Sequence, residues 1–255
     1  MQMDNAKFLI LGGTLEASEI ARTLVSNFDD NSVITSLAGS TNNPKPLSGK
    51  IRKGGFGGPE GLIEFFYKEK ISAVIDATHP FALNISKNAI YACNKAKVPH
   101  ICLRRSPWNQ KPGDIWYEVS ELREAVNILR NMGKRVFLSL GPRAVSHFSG
   151  VQGVWFLIRV VDPPKSPLLL SDYEIVFGRG PFKVSEEINL FQKYEVDLLI
   201  TRNSGGTGAY AKIVAARQLD IPVIIIQAPY SIDMPVVNSP EEVYKWINDQ
   251  LGLKI

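Results

Sequence analysis

The chain has 255 residues, 45% of them hydrophobic and 21% charged, with 29 basic against 25 acidic side chains and a net charge of +4. Those proportions suit a soluble globular protein of one large or two modest α/β domains, and so mild a charge excludes a nucleic-acid footprint. No apolar run approaches the ~20 residues of a membrane span, no signal peptide is written at the N-terminus, and Cys93 and Cys102 stand outside any metal-ligand spacing, so the expectation is a cytoplasmic protein with buried thiols and no metal.

Strand and helix patterns alternate along the chain, which predicts mainly parallel sheets. Lys7 to Leu11 is an apolar run ending at Gly12-Gly13-Thr14, and Leu15 to Ser26 follows with apolar residues at helical spacing. Ser32 to Ala38 predicts the second strand, and Asn42-Asn43-Pro44 excludes regular structure in the loop Gly39 to Gly49. Ile51 to Phe56 reads as a strand that breaks in Gly54-Gly55-Phe56-Gly57-Gly58, and Pro59 opens a helix to Lys70. Ala73 to Ala77 is a strand of the buried type. Thr78 or His79 is expected to cap the next helix, with Pro80 at its start and its end near Lys97. His100 to Arg104 is a further strand. Ser106 to Ile115, with Pro107, Pro112 and Gly113, reads as a crossover between an N-terminal domain over 1-113 and a C-terminal one over 114-255.

The second half repeats the pattern. Glu121 to Met132 predicts an amphipathic helix, and strands follow at Arg135 to Leu140, Trp155 to Val161, Tyr173 to Phe177 and Asp197 to Thr201. The last two lead into Gly178-Arg179-Gly180-Pro181-Phe182 and Asn203-Ser204-Gly205-Gly206-Thr207, with a helix over Tyr210 to Leu219. Val223 to Gln227 is expected as the last strand and Pro240 to Leu251 as a closing helix capped by Ser239.

Open α/β sheets bind ligands at the carboxyl ends of their strands, where glycine turns and helix N-termini expose backbone N–H groups. Gly12-Gly13-Thr14 falls short of the full dinucleotide fingerprint. Ala17 replaces a glycine, and no acidic residue ends the second strand at Ser36-Leu37-Ala38-Gly39-Ser40-Thr41. On its residues alone the turn is a phosphate site or a plain tight turn. The four glycines of Gly54 to Gly58 indicate close approach to a flat cofactor or its phosphates, or a flexible turn. Asp76-Ala77-Thr78-His79 puts a carboxylate and an imidazole at one strand exit. Either Asp76 and Thr78 tie down the turn and His79 is a cap, or His79 meets nicotinamide or substrate as a polar contact or proton donor. Asn203-Ser204-Gly205-Gly206 with Lys212 would hold a carboxylate or phosphate, or is only a capped helix start; Gly180-Pro181-Phe182 is an aromatic rim or an inward-packed turn. No nucleophile elbow, phosphate loop or metal-ligand cluster is written in the chain, which turns the reading away from hydrolases and kinases.

Together these segments resemble the precorrin-6A and cobalt-precorrin-6A reductases of cobalamin biosynthesis. The resemblance is carried by Ile10 to Ala17, Ser36 to Gly39, Gly54 to Gly58, Arg105-Ser106-Pro107-Trp108, Gly180 to Phe182, Asn203 to Gly206 and above all Asp76-Ala77-Thr78-His79-Pro80-Phe81-Ala82. It implies two Rossmann-like domains with a cleft between them. It also implies hydride transfer from NADPH or NADH to one ring double bond of a tetrapyrrole polycarboxylate, with a proton completing the addition. By the same resemblance Gly12, Gly13, Thr14, Ser36, Ala38, Gly39, Ser40, Thr41, Gly54, Gly55, Phe56, Gly57, Asp76, Ala77, Thr78 and His79 line the cofactor, His79 being the catalytic candidate. Gly180, Pro181, Phe182, Arg202, Asn203, Ser204, Gly205, Gly206 and Lys212 face the substrate.

Two departures bear on this. The family often carries arginine where Ser40 stands, a residue that would grip a 2′-phosphate bidentately, so NADH stays open unless Arg52 or Lys53 substitutes. It also often carries lysine where Arg202 stands, which keeps the charge but not a lysine-specific proton role. Other readings of the same architecture are a nucleotide-binding sensor and a reductase of small carbonyls. The latter would use a Tyr-x-x-x-Lys pair such as Tyr91 and Lys95, which the helical pattern assigns to a surface face. Oligomeric state has no signature in the sequence.

Overall fold

A computed structural model describes residues 6–39, 46–164, 166–229, 233–253 and 255. Ser40 and Thr41 lie outside the described residues. The chain forms two compact units, one of Met1–Arg105 with Tyr230–Ile255, the other of Ser106–Pro229.

The first unit begins with β1 (Phe8–Leu11), α1 (Leu15–Asn27), β2 (Val33–Leu37), β3 (Lys50–Lys53), α2 (Pro59–Glu69), β4 (Ala73–Asp76), α3 (Leu83–Ala96) and β5 (His100–Leu103). β1 is apolar at every position because helices cover both faces of its sheet. Phe8 and Ile10 pack with Ile20 and Leu24 of α1, whereas Leu9 and Leu11 pack with Leu62 and Phe66 of α2 and Ala89 and Cys93 of α3.

The second unit comprises β6 (Trp116–Val119), α4 (Leu122–Leu129), β7 (Arg135–Ser139), α5 (Pro142–Val145), β8 (Trp155–Val160), β9 (Tyr173–Phe177), α6 (Val184–Lys193), β10 (Leu198–Arg202), α7 (Ala211–Gln218) and β11 (Val223–Ile226). Its sheet runs in the order β6-β11-β10-β7-β8-β9, all pairs parallel. Phe137, Phe191 and Ile213 form its core with Leu157 and Leu199. The chain then supplies β12 (Val236–Val237) and α8 (Pro240–Leu251) to the first unit, whose sheet runs β12-β5-β4-β1-β2-β3, also all parallel. Because all strands of a sheet run one way, its exit turns gather along one edge. No helix among the described residues is long and apolar enough to cross a membrane.

Several expectations need correcting. The cut at residue 113 becomes a return: β12 extends the first sheet beyond β5, and Val243 and Ile247 of α8 are fully buried with Phe8, Ile10 and Ile101. Val223–Ile226 is therefore not the last strand. β3 stops at Lys53 instead of Phe56, because Gly54 turns the chain to a φ of 100°. The helix after Asp76 starts at Leu83 with Ala82 at its N-cap, not at Thr78 or His79. Both residues stay in the exit turn, where Asp76 holds Thr78 through its N–H and its hydroxyl. Ser239 does cap α8, accepting from the Glu242 N–H.

Candidate functional site

In the first unit the β1 exit is a tight turn onto a 13-residue helix. Gly12 donates its N–H to the Ser36 carbonyl at 2.9 Å; a Cβ on Gly12 would stand 2.8 Å from the Thr35 methyl, which explains the glycine. Gly13 has a φ of 113°, is exposed, and has no atom within 4 Å of where a Cβ would be. Thr14 caps α1 by accepting from the Ala17 N–H at 3.1 Å, and donates its own hydroxyl to the Ala77 carbonyl at 2.7 Å, so it ties the β1 and β4 exits together. Among the described residues the N–H groups of Gly13, Leu15 and Glu16 have no protein acceptor. Open space beside a capped helix N-terminus with free donors fits the pyrophosphate of a dinucleotide.

Next along the edge, Ser36 is buried, Ala38 and Gly39 are exposed, and the Gly54 N–H donates to the Leu37 carbonyl at 2.9 Å. Arg52 holds the glycine-rich loop, donating to the Gly54 and Gly55 carbonyls at 2.5 and 2.7 Å, with its guanidinium 3.7 Å from the Phe56 ring centroid. The Phe56 ring turns edge-on to Phe65 of α2, so it serves the loop's own packing. The loop lies against Gly61: a Cβ there would fall 1.8 Å from the Phe56 carbonyl oxygen. Sequence reasoning passed over Gly61, although a glycine inside a helix, which costs ~1 kcal/mol against alanine, is itself a signal of close approach.

The β4 exit is built around Asp76, which is 0% exposed. One carboxylate oxygen accepts from the Thr78 N–H at 3.0 Å and the Thr78 hydroxyl at 2.6 Å; the other accepts from Ser86 at 2.5 Å and from Arg104 at 3.4 Å. Arg104 also donates to Ser86 at 3.0 Å and to the Thr78 carbonyl at 3.3 Å. In the sequence Arg104 was visible only as the end of a strand. Burial, with the Asp76 carboxylate nearby, pushes the Cys93 and Cys102 thiols up to about 12, so both stay as unreactive thiols. Within this turn His79 is half-buried and its Nδ1 accepts from the Phe81 N–H at 3.3 Å.

The second unit gathers its own exits. Lys212, in the first turn of α7, is 7% exposed and donates to the Ser139 hydroxyl at the end of β7 at 2.9 Å. Arg159 of β8 makes a two-pronged ion pair with Glu187 of α6, at 2.6 and 3.0 Å, and lies over the Phe182 ring at 4.0 Å. Pro181 is exposed beyond it, and a Cβ on Gly180 would stand 3.2 Å from the Gly208 carbonyl oxygen. Asn203 is 2% exposed; its side chain accepts from the Trp108 N–H at 2.8 Å and donates to the Trp108 carbonyl at 2.9 Å and to Gln227 at 3.0 Å. The Trp108 indole donates to the Gly206 carbonyl at 2.6 Å. The Asn203 amide is thus spent on clamping the Trp108 segment to this turn. Burial holds the half-buried Arg202 guanidinium below its ordinary range.

A family model described as Precorrin-6x reductase CbiJ/CobK matches residues 7–248. The chain belongs to the precorrin-6x reductase family. A Precorrin-6A reductase from Sinorhizobium sp is 42% identical over 94% of this chain and 92% of its own length. A Cobalt-precorrin-6A reductase from Methanocaldococcus jannaschii is 28% identical over 94% of this chain and 97% of its own. The solved structure of CobK precorrin-6A reductase superposes with a TM-score of 0.91 at 39% identity, covering 96% of both chains. The family is one of reductases, which implies a nicotinamide cofactor.

Proposed function

We propose that the chain reduces precorrin-6A, the cobalt-free macrocycle, with NADPH bound at the strand exits of the first unit and the macrocycle at those of the second. The observation that carries this is full-length kinship with reductases of that name, at 42% identity against 28% for the cobalt-precorrin relative. Family membership makes the reaction an oxidoreduction of a ring double bond in corrin synthesis.

Bound NADPH would supply the hydride. The free amides of Gly13, Leu15 and Glu16 would hold its pyrophosphate, and the Asp76 network would keep the Thr78-His79 turn fixed at the ring end. Preference for NADPH rests on the lack of a carboxylate at the end of β2 and on exposed Lys53, paired in register with Leu37. The reaction belongs to the cytoplasm on this reading.

The test is anaerobic mixing of the protein with each macrocycle and each nicotinamide, following nicotinamide absorbance. Oxidation should require a macrocycle, run faster with precorrin-6A than with its cobalt form, and faster with NADPH than with NADH. Binding without oxidation of either nicotinamide would leave a sensor and overturn the reading.

A further inference from the structure

Two side chains hold two successive peptide groups of the β4 exit. Asp76 accepts from the Thr78 N–H, which belongs to the Ala77–Thr78 peptide. Arg104 donates at 3.3 Å to the Thr78 carbonyl, which belongs to the Thr78–His79 peptide. A peptide group is planar and trans, so fixing that carbonyl also fixes the His79 N–H on its other edge and the bond from which the imidazole leaves the turn. Asp76 cannot do this, because a carboxylate only accepts and a carbonyl needs a donor.

The guanidinium divides its donors. Nη2 donates to Ser86 at 3.0 Å and to Asp76 at 3.4 Å, and Nη1 serves the Thr78 carbonyl. Asp76 already takes three hydrogen bonds from Thr78 and Ser86, so the long contact with Arg104 balances its charge and fills no empty oxygen. The Arg104 Nε is buried without a partner, a cost that a cation kept for stability alone would not carry. Its backbone is set by the C-terminal return: the Arg104 N–H donates to the Val237 carbonyl at 2.8 Å, where β12 pairs Val237 with Leu103. Resting on the proposed function, we propose that Arg104 is a positioning residue for hydride transfer: its fork sets the plane of the Thr78–His79 peptide, and through it the surface against which the nicotinamide lies. It acts through the turn and not by touching the cofactor. Lysine could balance Asp76, but an ammonium is a point charge without the planar fork that serves both partners.

The experiment is a single turnover of NADPH, unlabelled and deuterated at the transferred position, with saturating precorrin-6A. Rates are taken per reacting site from the transient, so loss of folded protein lowers its amplitude and not its rate. Arg104→Lys should slow the transfer about 10- to 100-fold, while NADPH affinity from fluorescence titration stays within about threefold of wild type. Deuterium should slow the variant's transient further, which marks hydride transfer as the affected step. Ser86→Ala removes the shorter bond of one prong and should slow the transfer about threefold. An unchanged Arg104→Lys rate overturns the proposal, as does a loss seen only in amplitude, melting temperature or NADPH affinity. If the lysine variant does not fold, Ser86→Ala decides by the same readings. Oxidation of NADPH by the wild type tests the reductase reading, and the ratio of variant to wild-type rates tests Arg104, so the second can fail while the first stands.

Discussion

Asp76 and Lys212 are both buried charges at the exits of parallel strands, yet their surroundings are opposite. Asp76 receives hydrogen bonds from Thr78, Ser86 and Arg104 at both oxygens. Lys212 has one neutral hydroxyl, because Glu187 is already taken by Arg159. A fully matched buried charge costs little and fixes geometry; a poorly matched one stores a cost that a ligand of opposite sign removes. The first edge therefore shapes a fixed turn beside open helix amides, and the second keeps a charge in waiting.

The strongest way to break the contrast is Asp76→Ala. It would strand Arg104, Ser86 and the Thr78 donors, and should cost on the order of 3–5 kcal/mol in urea unfolding. A loss below about 1 kcal/mol would mean the network is not scaffolding. Lys212→Met should do the reverse and stabilise the protein by about 3 kcal/mol near neutral pH. The folded pKa is about 8 and the unfolded one 10.5, so over that window the unfolded chain binds the extra proton. Wild-type stability is therefore held down below pH 8 and recovers as pH rises toward 10.5, and the variant's advantage should shrink across the same range. An advantage independent of pH would refute the origin given for it. Thr14→Ala removes a helix cap and the bond to Ala77, and should cost about 1–2 kcal/mol and weaken NADPH binding severalfold, measured by unfolding and by fluorescence titration.

The alternation of strands and helices and the two glycine turns were legible because each is a local pattern. What escaped depends on pairing over long distances in the chain. Trp108 meets Asn203 across 95 positions, so an amide that reads as a ligand contact is in fact a clamp. Ser139, the only side-chain hydrogen-bond partner of Lys212 among the described residues, is an ordinary serine at a strand end 73 positions away. β12 has two residues, too few for any periodicity, and its return to the first sheet is decided by burial of Val243 and Ile247. Gly61 and Arg104 act through neighbours that only the folded sheet supplies.

The smallest effect expected concerns the cofactor's 2′-phosphate. Ser36 lies in register with Arg52 and Leu37 with Lys53, so both cations stand where β2 ends. Arg52 points to the α2 side, its guanidinium bonded to the Gly54 and Gly55 carbonyls and covering Phe56, and moving it would release the loop. Lys53 is exposed and has no partner among the described residues. An exposed charge is screened by solvent, so its contribution is modest, about 1 kcal/mol or fivefold. Lys53→Gln should remove that contribution, lowering NADPH affinity about fivefold while leaving NADH affinity and the melting temperature unchanged, and the difference should fade as salt is raised. Equal loss for both nicotinamides would show that Lys53 supports the loop instead of reading the phosphate.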